Sequence, residues 1–184
     1  MVDHYLTLLT ALFSAAVGGT IALLSVFFTN WSNTARLKIQ LEHESRQRNA
    51  ELLRNRGEEL YELSDKWLKK LIGHYLRRTF VMQCKITYNQ CLDLDIQDGK
   101  EDSGNFSRIA MLIDVYFPST RPAYNKIIAT RNELNKIGAA HKHEYENGNV
   151  DGTQFVAPYI QFQNSIEQAG ENFKALVLEC IRGL

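Results

Sequence analysis

The sequence lacks an excess of charge of either sign, since its 21 Lys and Arg residues are balanced by 21 Asp and Glu residues. A chain without net charge has no global electrostatic attraction to nucleic acid or anionic lipid, so only a local patch could support such a function. Its 184 residues leave room for one membrane segment and one domain of ordinary size.

Cysteine is scarce, and its odd count argues against a disulfide framework. The three cysteines, Cys84, Cys91 and Cys180, all lie in apolar surroundings. We therefore expect buried thiols in a reducing compartment.

The motifs of common enzyme classes are missing. There is no glycine-rich phosphate loop, no Gly-x-Ser-x-Gly elbow and no His-Glu-x-x-His metal helix. The nearest approach to a metal motif is His141, His143 and Glu144. However, the two histidines would point to different sides of a helix, and histidine near a helix C-terminus also suits the helix dipole. We predict no catalytic residue, no metal and no cofactor, and hence no enzyme.

The N-terminal region has no charged side chain from Tyr5 to Ala35. Its apolar part, residues 5–28, exceeds the roughly 20 residues that a transmembrane helix needs. At 0.3–0.6 kcal/mol for each large apolar side chain, insertion would be favoured by about 4–7 kcal/mol. A cleaved signal peptide would need a basic start, and Met1–His4 has no Lys or Arg. We predict an uncleaved anchor over residues 1–31.

Basic residues lie on one side of this segment only. Arg36, Lys38, Arg46 and Arg48 follow it, and no basic residue precedes it. Since the sequence has no second apolar run of spanning length, we predict a single pass through a bacterial inner membrane, oriented by the positive-inside bias. The short N-terminus would lie outside and the C-terminal domain in the cytoplasm.

Small side chains recur along the predicted membrane helix at steps of three or four residues, so they share one face. Small residues let helices approach closely, and hydroxyl groups can bond across the contact. We interpret this small-residue stripe as a surface for self-association, with a polar path through several copies as a further hypothesis. The alternative is that such residues are simply common in membrane helices. The stripe consists of Thr7, Ala11, Ala15, Gly18, Ala22, Ser25 and Thr29.

The rest of the chain is predicted to be helical, which makes the fold class all-α. Residues 32–57 carry mixed charges and indicate a solvated helical stalk, capped by Ser32 or Asn33, loosened at Gly57, and able to pair with its copies as a coiled coil. Residues 58–184 predict a cytoplasmic antiparallel bundle. Its helices are expected at about 58–92, 106–116, 119–146 and 157–182, separated by an acidic loop, Pro118 and a turn at 147–152.

A line of cations marks one face of the helix predicted at 58–92, where no acidic residue lies between Asp65 and Asp93. Such a face could receive a phosphate-bearing ligand. The alternative is a solvated face that is balanced by the acidic residues of segment 93–102. The predicted anion face consists of Lys66, Lys70, His74 and Arg77.

The segment Phe106-Ser107-Arg108-Ile109-Ala110-Met111-Leu112-Ile113-Asp114-Val115-Tyr116-Phe117-Pro118 resembles one in small, uncharacterised bacterial single-pass membrane-anchored helical proteins. The resemblance implies a membrane-anchored helical architecture and carries no functional residue with it.

Two functional classes stay open on the sequence. In the first, the protein is a self-associating membrane effector of the toxin or phage-defence type. Its cytoplasmic domain would sense a protein partner or a phosphate-bearing ligand and alter the packing of the membrane helices. In the second, it is a passive anchor or adaptor that holds a soluble protein partner at the membrane. Substitutions in the small-residue stripe would distinguish the two.

Overall fold

The computed structural model describes the backbone of residues 2–99 and 105–184 and the side chains of residues 14, 17–97 and 106–184. Within these ranges the chain forms five α-helices, one 3-10 turn and no strand. The prediction of an all-α fold is confirmed. The elements are α1 (Val2–Met82), α2 (Tyr88–Gly99), α3 (Asn105–Tyr116), the turn Pro118–Thr120, α4 (Arg121–Glu146) and α5 (Thr153–Arg182).

The first of two compact units, Met1–Ala50, is formed by α1 alone. We expected a separate helix beginning at Ser32 or Asn33, and this was wrong, because both residues lie inside α1. No proline interrupts this stretch, so nothing prevents the helix from continuing.

The described residues contain no helix that is long and apolar enough to cross a membrane. The predicted anchor over residues 1–31 therefore has no support from them. Its first part, residues 1–13 together with 15 and 16, lies outside the described side chains.

The second unit, Glu51–Leu184, contains the apolar core. In this unit α1 and α5 run in opposite directions. A Cβ atom at Gly57 would overlap Ile181, and one at Gly152 would lie 2.8 Å from the Met82 Cα atom. Early residues of one helix thus face late residues of the other, which is the arrangement of an antiparallel pair.

Helices α4 and α5 are also antiparallel. The Tyr124 and Phe173 rings lie 6.0 Å apart at one end of the pair. The His141 and Phe155 rings lie 5.6 Å apart at the other end. The fully buried side chains between the helices include Leu60, Tyr75, Met82, Ile109, Leu112, Ile113, Ile127, Leu134, Tyr159, Ile166 and Phe173.

The end of α1 differs from the prediction. We expected this helix to reach about residue 92, but it ends at Met82, and Cys84 adopts a positive φ of 55°. A reciprocal cap then starts α2: the Gln90 N–H donates to the Thr87 hydroxyl at 3.2 Å, and the Thr87 N–H donates to the Gln90 side-chain oxygen at 2.9 Å. This capping box satisfies two amide donors at the start of α2, so a new helix begins here and α1 does not extend further.

The expected acidic loop also differs in part. Helix α2 extends through Asp93 and Asp95 to Gly99, so these carboxylates stand on a helix and not in a loop. The remainder of that predicted loop, residues 100–104, lies outside the described residues.

The corners around α4 follow the local sequence signals. Helix α3 ends before Pro118, and α4 carries Pro122 in its first turn, where a missing N–H costs nothing. Thr120 does not cap α4; its hydroxyl donates to the Phe117 carbonyl at 2.8 Å. Between α4 and α5, Gly148 adopts a φ of 91°, which glycine tolerates without strain.

The cysteines differ in their surroundings. Cys91 is buried, Cys180 is partly buried and Cys84 is exposed, so the expectation of three buried thiols was wrong for Cys84. Cys84 is exposed because it lies in the corner between α1 and α2 and not within a helix. Burial raises the pKa of the Cys91 thiol.

Candidate functional site

A single carboxylate gathers three basic side chains in the second unit. Asp95 of α2 accepts hydrogen bonds from His74 Nδ1 at 3.1 Å, Arg77 Nε at 3.0 Å and Arg78 Nη2 at 3.1 Å. The donors occupy positions i, i+3 and i+4 of α1, so they project from one side of the helix. The side chains of Asp95, Arg77 and Arg78 are 15%, 19% and 20% exposed. Water therefore screens this cluster less than it screens a surface ion pair.

The structure brings two of the four residues of the predicted anion face together. His74 and Arg77 turn towards Asp95. Lys66 and Lys70 are exposed, and Lys66 Nζ lies 4.0 Å from the Glu62 carboxylate on its own helix. His74 and Arg77 thus meet at one carboxylate.

A cleft in the second unit lies beside the Asp95 cluster and is lined by α1, α2, α4 and α5. It consists of two adjoining cavities of about 240 and 310 Å³, and both are lined by Arg78, Tyr88 and Lys142. The smaller cavity is also lined by His74, Tyr75, Leu134, Asn135, Gly138, Ala139 and Tyr159. The larger is also lined by Asn89, Leu92, Tyr145 and Glu146.

Tyrosine hydroxyls supply neutral polar groups to the cleft. The Tyr75 hydroxyl donates to Asn135 Oδ1 at 3.1 Å. Burial raises the pKa of Tyr75 to about 12 and raises the pKa of Tyr159 as well. Burial also raises the pKa of Tyr88, although the nearby Arg78 charge opposes the shift. All three phenols are therefore protonated at neutral pH and can donate hydrogen bonds.

Arg78 and Lys142 supply the positive charges that both cavities share. The Arg78 guanidinium lies over the Tyr88 ring, 5.0 Å from its centre. Lys142 Nζ lies 3.5 Å from Glu146 Oε1, and these two side chains are 58% and 61% exposed. Pairs of this kind contribute little free energy, so Lys142 can be redirected towards another anion at low cost.

His141 has an unusual environment on the inner side of the cleft wall. Its side chain is 1% exposed and stacks on Tyr88 with 5.9 Å between ring centres. Among the described residues its Nε2 atom has no hydrogen-bond partner. Desolvation, with a smaller contribution from Arg78, lowers the pKa of His141. The imidazole is therefore neutral at physiological pH.

His141, His143 and Glu144, the nearest approach to a metal motif in the sequence, do not form a metal site. His141 is buried, whereas His143 is exposed and lies 3.3 Å from the Asn147 side-chain nitrogen. Across the described residues, no group of three or more His, Cys, Asp or Glu side chains could hold a metal ion.

The described part of the small-residue stripe lies in the first unit, where Gly18, Ala22, Ser25 and Thr29 are all exposed. Two of its hydroxyls are satisfied within the helix, since Ser25 donates to the Ile21 carbonyl at 2.8 Å and Thr29 donates to the Ser25 carbonyl at 2.7 Å. Thr7, Ala11 and Ala15 lie outside the described side chains.

Of the groups that line the cleft, the sequence-based site included only His74. Tyr88 lies on a different helix from Asn135 and Lys142 and shares no motif with them, so no local spacing could have brought the three together. Arg78 adjoins the predicted anion face and could have been included through its neighbour Arg77. No family model, no curated protein and no solved structure matches the chain, so its function is inferred from its own residues.

Proposed function

We propose that the protein is a self-associating membrane effector. In this proposal the N-terminal part of α1 inserts into a bilayer, its small-residue stripe contacts other copies, and the helical second unit responds to a partner or ligand. The observation that carries the proposal is a dense run of exposed apolar side chains in the first unit.

The run lies between residues 17 and 31 of α1. Its large apolar side chains are 46–74% exposed. Soluble proteins rarely expose a contiguous apolar patch larger than a few hundred Å², so this surface calls for an apolar environment. It comprises Val17, Ile21, Leu23, Leu24, Val26, Phe27, Phe28 and Trp31.

The distribution of these side chains around the helix favours lipid as their main environment. At about 100° per residue, they cover about 220° of the helix circumference, from Val26 round to Ile21. A single neighbouring helix covers only one face, whereas a bilayer surrounds all of them. The small-residue stripe occupies the uncovered sector, which is where a second copy could approach closely.

Hydroxyl groups in this segment are compatible with an apolar environment. Ser25 and Thr29 donate to carbonyl groups one turn earlier in the same helix. Donors that are satisfied in this way need no water, so the cost of transferring them into hydrocarbon falls.

The charge distribution supports an orientation for the proposed anchor. Arg36, Lys38, Arg46 and Arg48 follow the apolar run. Under the positive-inside bias, residues from about 32 onward would lie on the cytoplasmic side of an inner membrane.

Membrane insertion is tested by paired lysine substitutions. The double variant Val17→Lys, Ile21→Lys should leave the alkali-resistant membrane fraction, because two lysines near the bilayer centre cost about 6–8 kcal/mol relative to the native side chains. The matched control is Leu37→Lys, Ile39→Lys, which replaces two apolar side chains beyond the run that are at least as exposed, and this variant should stay in that fraction. Retention of the first double variant would contradict the proposed anchor.

Effector activity is tested through neighbouring glycines. A Cβ atom at Gly18 or at Gly19 would meet no heavy atom within 4 Å, so isoleucine fits at either position within one chain. Gly18 lies on the small-residue stripe, whereas Gly19 lies about 100° from Gly18 and within the sector of the large apolar side chains. We expect induced expression of the wild type to depolarise bacteria and arrest growth. Gly18→Ile should abolish this effect at equal membrane level, and Gly19→Ile should preserve it.

An adaptor would give a different result in the same experiment. A passive anchor tolerates both isoleucine variants, and it also tolerates replacement of residues 5–29 by an unrelated membrane span. Unchanged function in both Gly18→Ile and Gly19→Ile would therefore favour an adaptor that holds a protein partner at the membrane.

A further inference from the structure

We propose that protonation of the buried His141 side chain detaches α2 from the rest of the second unit. The second unit would then contain a helix that acid releases. Every group involved lies within Glu51–Leu184, so the proposal does not depend on the membrane anchor proposed above.

Helix α2 is held by few side chains. Tyr88, Cys91 and Asp95 follow one another at steps of three and four residues, so they share one face of the helix. Cys91 is buried and the other two are partly buried, whereas all other described side chains from residue 88 to residue 97 are exposed. An element with so few buried contacts opens at a lower free energy than the core does.

Tyr88 rests on His141 at the start of α2. The two rings stack with 5.9 Å between their centres and an interplanar angle of 28°. The Tyr145 ring of α4 lies 5.1 Å from the Tyr88 ring, and the Arg78 guanidinium lies 5.0 Å from its centre. The first turn of α2 is therefore positioned by an imidazole that adjoins a permanent positive charge.

The space around this imidazole is closed on its other sides. The Phe155 ring of α5 lies 5.6 Å from the His141 ring. A Cβ atom at Gly152 would lie 2.5 Å from His141 Nε2 and 2.8 Å from the Met82 Cα atom, so there is no room for a counterion. In the described part of the chain Nε2 has no hydrogen-bond partner. A proton on this ring would create a buried charge without an acceptor, which is strongly unfavourable.

The neighbouring charges do not compensate for such a proton. Desolvation, and to a smaller degree the Arg78 charge, lowers the pKa of His141. The Glu144 carboxylate lies 3.5 Å from the Asn149 side-chain nitrogen. The Asp151 carboxylate accepts a hydrogen bond at 3.0 Å from the backbone N–H two residues later. Both carboxylates thus have other partners, and a protonated imidazole would be repelled by Arg78.

The Tyr88 side is the one that can open. Met82 and Gly152 present backbone atoms to this corner, whereas Tyr88 presents a side chain that also lines both cavities of the cleft. Its ring can move into that space and let water reach the imidazole. Of the inward face of α2, Cys91 and Asp95 would then be left to hold the helix.

A second histidine at the same interface acts in the opposite direction. His74 Nδ1 lies 3.1 Å from Asp95 Oδ1, so a proton on His74 would strengthen the contact between α1 and α2. Detachment of α2 by acid would therefore originate at His141 and not at His74.

Thiol labelling of Cys91 measures detachment, because this side chain is 0% exposed in the fold. The full chain carries Cys84→Ser and Cys180→Ser, is kept in detergent micelles and is labelled with dithiodipyridine. The protection factor is the labelling rate of the urea-unfolded chain divided by that of the folded chain at the same pH. We expect it to fall by up to about tenfold between pH 7.5 and pH 5.5, because an imidazole in contact with water titrates near 6.5. A constant protection factor would overturn the proposal.

Histidine variants identify the group that takes up the proton. His141→Phe keeps an aromatic ring and cannot be protonated, so it should abolish the fall in protection. His141→Leu, which has a different shape, should do the same. His143→Gln alters an exposed histidine on the same helix and should keep the fall. A fall of wild-type size in both His141 variants would refute the proposal.

Urea dependence separates detachment of α2 from unfolding of the whole unit. Val177→Cys, combined with Cys91→Ser, places a thiol at a fully buried position of α5. At pH 5.5 and below the unfolding transition, labelling of Cys91 should depend on urea at most about half as steeply as labelling at position 177. The reason is that detachment of one short helix exposes less surface. Equal slopes would show that α2 leaves only when the whole unit unfolds, which would contradict the proposal.

Discussion

Gly57 of α1 lies directly against Ile181 of α5, so closely that a Cβ atom at position 57 would overlap the Ile181 side chain. The same atom would lie 3.2 Å from the Phe117 ring. The sequence suggested that this glycine loosens the helix. It is instead buried inside α1, where the absence of a side chain allows the two helices to approach.

Replacing this glycine should destabilise the second unit. Gly57→Ala is expected to lower the free energy of unfolding by about 1–3 kcal/mol, because the added methyl group overpacks the contact with Ile181. Gly73→Ala is the matched control on the same helix, where a Cβ atom would meet only Arg77 Nη1 at 3.8 Å. That change should stabilise by about 0.5–1 kcal/mol through helix propensity. Urea unfolding followed by circular dichroism measures both, and shifts of the same sign would contradict the close approach.

Removing the charge of Asp95 should destabilise the junction of α1 and α2. Asp95→Asn leaves Arg77 and Arg78, which are 19% and 20% exposed, without their anionic partner. We expect a loss of about 1.5–3 kcal/mol in the free energy of unfolding. Asp93→Asn, on the exposed side of the same helix, should change it by less than about 0.5 kcal/mol. If chemical denaturation finds the two variants equal, the cluster does not stabilise the fold.

The buried imidazole of His141 should make stability depend on pH. Its pKa is lowered in the fold, mainly by desolvation, whereas in the unfolded chain it would titrate near 6.5. The unfolded state therefore takes up the proton first, so stability is highest above pH 6.5 and falls as the pH decreases through this value. We expect His141→Leu to lose less stability than the wild type between pH 7.5 and pH 5.5.

The control for this titration is His143→Gln, which alters an exposed histidine on the same helix. It should keep the pH dependence of the wild type. An unchanged pH profile in His141→Leu would show that His141 is not the group responsible.

The ion pair between Lys174 and Asp65 should contribute more to stability than the surface pairs do. Lys174 Nζ lies 2.9 Å from Asp65 Oδ1, and its side chain is 12% exposed. Hydrogen bonds to Glu171 and Asp65 raise the pKa of Lys174 to about 12. The contribution is thus fully present below the unfolded pKa of about 10.4 and is lost as the pH rises towards 12.

Lys174→Met should lower the free energy of unfolding at neutral pH by about 1–3 kcal/mol, because Asp65 loses a partner in a partly buried site. Lys136→Met should have an effect near zero, because Lys136 is 71% exposed in its pair with Glu133. Guanidinium denaturation at pH 7 compares them, and an equal loss in both variants would contradict this ranking.

Local signals predicted much of the helical layout. The end of α3 at Pro118 and the turn over residues 147–152 were recognised, because proline and the Asn-Gly and Asp-Gly pairs act through their own backbone geometry. The break between α1 and α2 was missed. Thr87 and Gln90 form a capping box there, but they stand inside a run of apolar spacing that on its own favours an uninterrupted helix.

The candidate site was less predictable than the fold. The helical spacing of Lys66, Lys70, His74 and Arg77 indicated a common face, and the structure joins His74 and Arg77 through Asp95. The acidic segment after residue 92 was considered as a source of negative charge that balances the cations of this face. Which of its carboxylates would reach α1 depended on the fold of α2, whose residues from Asp93 onward were predicted to form a loop.

By itself the sequence determined the all-α class, the uncharged apolar N-terminal region and the positions of most helix ends, because hydrophobic periodicity, charge and turn residues act over a few neighbouring positions. The tertiary structure alone decided that Gly57 sets the approach of α1 and α5, that His141 is buried, and that Arg78, Tyr88 and Lys142 meet around a cleft. These features join residues that are tens of positions apart. Their distances depend on how helices pack, and no local pattern along the chain encodes that packing.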